Sequence, residues 1–186
     1  MLFGSPGKGN TQDVVKTVIQ AARERKIKQI VVASVTGYSA REFLSYAEEF
    51  RIISVGYGYY ITPGIPNAMS EDTQNDLRAG GIHLLFGTHV LSGAEHHLRT
   101  KYGGTYPVDI MAHTLSIFGP GVKVGIECVI AALDAGLILP VPTIGVGGSG
   151  DGADAAVVVT PESSIRILDT KVHEILCKPS YYPAQA

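Results

Sequence analysis

The chain is 186 residues long, carries a formal charge of −2, and is 45% hydrophobic and only 17% charged. That length suits one α/β domain over residues 1–186, and the near-balanced charge, with no basic run beyond Arg23-Glu24-Arg25-Lys26, excludes the electrostatic footprint of a nucleic-acid partner. So small a charged fraction leaves much surface uncharged or buried against another subunit, and a homo-oligomer is expected.

Asn10 or Thr11 is placed to cap a first helix, in which Val14, Val15, Val18, Ile19 and Ala22 recur at helical spacing. Ile30, Val31, Val32 and Ala33 form a continuous, mostly β-branched run that suits a parallel strand covered on both faces. After Ser34 to Tyr38, Ser39 and Glu42 have the spacing of a capping box, with Ala40, Phe43, Leu44 and Ala47 on one face of a helix predicted over 39–50. A second strand is predicted over 52–55 and a Tyr/Gly/Pro-rich loop over 56–67. A helix over 70–79 then stops at Gly80-Gly81, and a third strand covers 82–86. Strand and helix in strict alternation imply right-handed crossovers and a parallel sheet with helices on both faces.

Residues 87–106 break this rhythm as a long polar connection without clear period, and loops of that length are usually functional. Pro107 suits the first turn of a helix reaching about Phe118, which Gly119-Pro120-Gly121 ends. A further helix over 122–135, with Gly136 as its stop, is apolar almost all round. Its charged residues Lys123, Glu127 and Asp134 fall in one strip, facing either a ligand or subunit, or solvent. Strands over 142–146, 155–159 and 171–177 follow, with a flexible glycine-rich turn at 147–152.

Ligands of open α/β sheets bind beyond the carboxyl ends of the strands. That rim gathers Ser34, Thr36, Gly37, Tyr38 and Ser39, the loop starting at Gly56-Tyr57, then Thr88, His89, Ser92 and Gly93, and finally Gly147 and Gly148. Hydroxyls and free N–H groups at a strand-to-helix turn suit a phosphate or carboxylate, and Gly37 is expected to let the backbone approach it. His89 is a weak candidate for an acid–base group, with a structural histidine as its alternative. Tyr57, Tyr59 and Tyr60 offer stacking surfaces, or pack within the domain.

No GxSxG or P-loop occurs, and neither the glycines at 147–152 nor His96-His97 have the spacing of a dinucleotide or metal motif, so no metal is expected. Cys128 and Cys177 stand alone in apolar surroundings, which predicts buried free thiols in a reducing compartment. No segment reaches the ~18 to 20 apolar residues of a membrane helix, so a cytoplasmic protein with no membrane partner is expected.

The run from Lys28 to Arg41, followed by Arg51-Ile52-Ile53-Ser54-Val55, resembles the C-terminal domain of pyruvate kinase, where the corresponding turn holds a phosphate of an allosteric sugar bisphosphate. Pro6-Gly7-Lys8 with Asn10-Thr11, Val31 to Gly37, Gly87 to Gly93, and Ala135-Gly136-Leu137-Ile138 extend this to a closer resemblance, covering most of the chain. It is to stand-alone, pyruvate-kinase-C-terminal-like proteins of prokaryotic, archaeal type. The resemblance implies a three-layer α/β/α fold with a mostly parallel central sheet and a phosphorylated ligand at the rim, with flavin mononucleotide (FMN) as cofactor. A flavin-dependent oxidoreductase and a regulatory module sensing a sugar phosphate are the alternatives. Pyruvate kinase activity is not implied, because the catalytic barrel has no counterpart here.

Overall fold

Ile30, Val31 and Val32 are all fully buried, although successive strand residues point to opposite faces, so their sheet is covered on both sides. The computed structural model describes residues 1–183. In it, β1 (Leu2–Phe3), β2 (Gln29–Ala33), β3 (Arg51–Tyr57), β4 (His83–Gly87), β5 (Thr143–Gly147), β6 (Ala155–Thr160) and β7 (Lys171–Pro179) form one sheet. Their order is β1-β7-β6-β5-β2-β3-β4. Pairings β5/β2, β2/β3, β3/β4 and β1/β7 are parallel, with Ile30 beside both Ile52 and Ile144.

The alternation along each strand divides the apolar residues between two cores. Ile30, Val32, Ile52, Ile144 and Val146 pack with Val14 and Val18 of α1 (Thr11–Arg25), Ala40 of α2 (Tyr38–Arg41) and Leu77 of α3 (Glu71–Ala79). Val31, Ile53, Val157 and Val159 pack with Val122, Ile126, Val129 and Ile130 of α6 (Pro120–Asp134). Helices therefore cover both faces in a three-layer α/β/α arrangement, and each such side chain contributes about 1.5–3 kcal/mol when fully buried. Before α6 come α4 (Gly93–Tyr102) and α5 (Pro107–Ser116), with Pro120 at the start of α6 after Gly119 at φ 120°.

Several expectations need correction. The sheet is mostly parallel as expected, but the parallel pattern of the first strands does not extend to β6, which runs antiparallel to both β5 and β7. The connection between β5 and β6 is shorter than the dozen or so residues a parallel crossover requires, so the chain turns straight back. The helix expected over 39–50 is a single turn, α2, followed by a 3-10 turn at Leu44–Tyr46. Its capping box does not form. Gly37 occupies the N-cap with φ 89°, and the Ala40 N–H donates instead to Ser34 Oγ at 3.1 Å. Glu42 accepts from Gln12.

Asn10 does not cap α1 with its side chain either, because its Nδ2 donates to Ser5 O. Thr11 Oγ1, by contrast, donates to Lys8 O and accepts from Ala153 N, tying the start of α1 to the β5–β6 turn. The connection at 87–106 contains α4, none of whose residues is buried. With no apolar stripe to bury, that helix left no periodic trace in the sequence. The helix expected over 70–79 forms as α3, with Ser70 as its N-cap, accepting from Thr73 N.

Candidate functional site

The carboxyl ends of β2, β3 and β4 open onto a cleft of about 420 Å³, within the roughly 300–1,000 Å³ range of small-molecule sites. One end is formed by Ser34, Thr36, Tyr38 and Ser39, and the floor by Val55, Gly56 and Tyr57. Thr88, His89 and Val90 follow β4, while Val124, Glu127, Cys128 and Ala131 of α6 form the opposite wall. Gly148, Gly150, Asp151 and Gly152 close the remaining side. One end is thus rich in hydroxyls, while the α6 wall joins the aliphatic Val124 and Ala131 to Glu127 and Cys128.

The β5–β6 turn is tied down by Asp154, which is fully buried. Its Oδ2 accepts from Gly7 N and Ser149 N, at 3.0 and 3.1 Å, and its Oδ1 from Ser149 Oγ at 3.2 Å. Gly152, with φ 77°, lies against Lys8, whose ammonium is 3.9 Å from the centre of the Tyr38 ring. A cationic group therefore stands beside the hydroxyl-rich end.

Glu127 has 2% exposure, so the charged strip of α6 is not a solvent edge at this position. Its Oε1 accepts from Leu91 N at 3.0 Å, while Oε2 lies 2.5 Å from Lys123 Nζ and 3.2 Å from His89 Nδ1. Burial pushes this carboxyl up, but hydrogen bonds from His89 and Lys123, with the charge of Lys123, outweigh burial and hold it below the usual glutamate value. Tyr57 meets the His89 ring edge-on at 5.7 Å between centres. Cys128 also lines the cleft, yet burial, reinforced by the Glu127 charge, pushes its thiol up to about 12. At neutral pH it is a neutral thiol and no nucleophile.

Among the residues singled out from sequence, Ser34, Thr36, Tyr38, Ser39, Thr88, His89 and Gly148 line this cleft together. Gly37 does not: a β-carbon there would collide with Thr73 Cγ2 of α3, so this glycine serves the contact between α2 and α3. Gly147 lies beneath the turn against Gly121 of α6. Ser92 lines a separate cavity beyond His89, and Gly93 is the exposed first residue of α4. Of the tyrosines, Tyr57 reaches the cleft, Tyr59 packs edge-on against Phe86, and Tyr60 is exposed. His96 approaches Arg99 within α4. Glu127 as a partner of His89 was missed, although its place in the charged strip was the available signal.

A doubly covered sheet with a rim cleft after its central parallel strands defines the class as a three-layer α/β domain. Residues 12–159 match the family model of the pyruvate kinase alpha/beta domain, and the chain belongs to that family. The match runs from α1 through β6 and so includes every segment that forms the cleft except Lys8 beside it. No helix among the described residues is long and apolar enough to cross a membrane.

Proposed function

We propose that this protein binds a phosphorylated small molecule, FMN in particular, in the cleft at the carboxyl ends of β2, β3 and β4. The observation that carries this reading is the two-sided lining. Thr36, Tyr38 and Ser39, with Lys8 alongside, offer donors and a positive charge to a phosphate. Val55, Val124 and Ala131, with the Tyr57 ring, offer a flat ligand body an apolar surface. Free, buried Cys128 and Cys177 agree with a reducing, cytoplasmic setting. Association with further copies of the chain is supported by large apolar side chains left in solvent, including Ile117, Phe118, Ile165 and Leu168.

The test is an absorption spectrum and mass measurement of whatever the purified protein releases on denaturation, followed by titration of the emptied protein with FMN. A flavin spectrum and mass, or saturable quenching of flavin fluorescence, supports the reading. Binding of a sugar bisphosphate without any flavin response replaces it with the sugar-phosphate-sensing module, and light scattering with and without that ligand reports whether assembly follows.

A further inference from the structure

His89, Glu127 and Lys123 form a polar cluster for which phosphate binding has no need. Lys123 already balances the Glu127 charge, and the Leu91 N–H already occupies Oε1, yet Oε2 also faces an imidazole nitrogen. A carboxylate that only tied the loop after β4 to α6 would require the Leu91 contact and no histidine.

We infer that His89 is a proton-transfer group for the ligand held in the cleft, with Glu127 as its positioning residue. The inference rests on the cleft being the ligand site. An ionised carboxylate only accepts hydrogen bonds, so the nitrogen facing it, Nδ1, carries the hydrogen, and the Nε2 lone pair is left free. Among the described residues Nε2 has no hydrogen-bond partner, and the side chain is 30% exposed. The edge-on Tyr57 ring restricts rotation of the imidazole. His89 also lines the second cavity, of about 510 Å³, together with Ser92, Arg99 and His113, but its unpartnered nitrogen is assigned to the first cleft, where a bound ligand covers it.

The Nε2 lone pair takes a proton from a C–H, N–H or O–H of the bound molecule, whose bonding electron pair stays on the ligand. The resulting imidazolium carries one hydrogen on each nitrogen and faces the Glu127 carboxylate. Nε2 then returns its proton to the same or a neighbouring ligand atom. Proton exchange or tautomerisation of this kind needs no oxidant and no second substrate. The fitting class is a phosphorylated molecule whose deprotonated form is delocalised.

Diethyl pyrocarbonate, which acylates an unprotonated imidazole nitrogen, tests this at about pH 8, above the ordinary imidazole range. Modification of each of the six histidines is followed by peptide mass analysis. His89 is expected to react in the wild-type protein, and FMN to protect it. Glu127→Gln is expected to slow its reaction by about tenfold or more, since an amide N–H opposite Nδ1 moves the ring hydrogen to Nε2. Equal rates in wild type and Glu127→Gln overturn the positioning role. A His89 that depends on Glu127 but is not protected by FMN leaves the pair standing and removes FMN from the cleft. Should the variant fail to fold, the ring 15N shifts of wild-type His89 decide: the Nδ1–H tautomer supports the pair, and the Nε2–H tautomer overturns it.

Discussion

A β-carbon on Gly145 of β5 would stand 2.5 Å from the carbonyl oxygen of Gly125 in α6, so helix and strand meet backbone to backbone. This close approach brings the Lys123, Glu127 and Cys128 turn of α6 down to the rim of the sheet. Neither backbone can retreat without unpacking the second core. Gly145→Ala is therefore expected to destabilise the protein by about 3 kcal/mol or more, while Gly4→Ala, with nothing within 4 Å, stays within about 0.5 kcal/mol of wild type. Urea unfolding of both variants checks the contrast.

Ser34 is the hydroxyl that caps the turn after β2, and Ser39 is not. Ser34→Ala leaves the Ala40 N–H without its partner at a buried position, at an expected cost of about 1–2 kcal/mol. Ser39→Ala should cost less, because Ser39 caps nothing. Equal losses in thermal or urea unfolding would contradict this assignment.

Glu127 makes stability depend on acid. Its folded-state value lies below the ordinary one of 4.5, so its ionised form stabilises the fold above that pH, and the contribution fades as pH falls through the folded value. Wild type is expected to exceed Glu127→Gln in stability at pH values above 4.5, with the difference shrinking below it. Urea midpoints of both proteins between neutrality and about pH 3 provide the measurement.

Burial raises the Cys128 thiol to about 12 and the Cys177 thiol to about 11. Neither is expected to react with iodoacetamide in the native protein at about pH 8, and both should react once it is denatured. Intact mass before and after denaturation reads the result. Rapid native alkylation of Cys128 would mean that the cleft wall is open.

Thr36 is exposed at the hydroxyl-rich end of the cleft, where its removal disturbs no core contact. Loss of one hydrogen bond to a charged phosphate is worth about 1.5–3 kcal/mol, so Thr36→Val should weaken FMN binding roughly 10- to 150-fold. Flavin fluorescence titration provides the affinity, and an unchanged value would move the phosphate elsewhere in the cleft.

The β-branched runs around Ile30 and Ile52 specified buried strands by themselves, because a continuous apolar stretch has few other places to go, while the run at 82–86 became the partly buried edge strand β4. With alternating helices, they also specified a rim at which Ser34, Thr36, Tyr38, Ser39, Thr88, His89 and Gly148 meet. Strand direction was another matter: side-chain alternation is the same in either sense, so only the length of the β5–β6 connection revealed β6 as antiparallel. Helix α4 escaped notice because it buries nothing. The turning of Gly37 toward α3 and the burial of Glu127 were decided by tertiary contact. Each depends on a partner from another segment, and for Glu127 those partners, Leu91 and His89, lie 36 and 38 residues away. Local spacing carries the periodicity of an element, but the burial of a charge depends on which distant donors the fold brings to it.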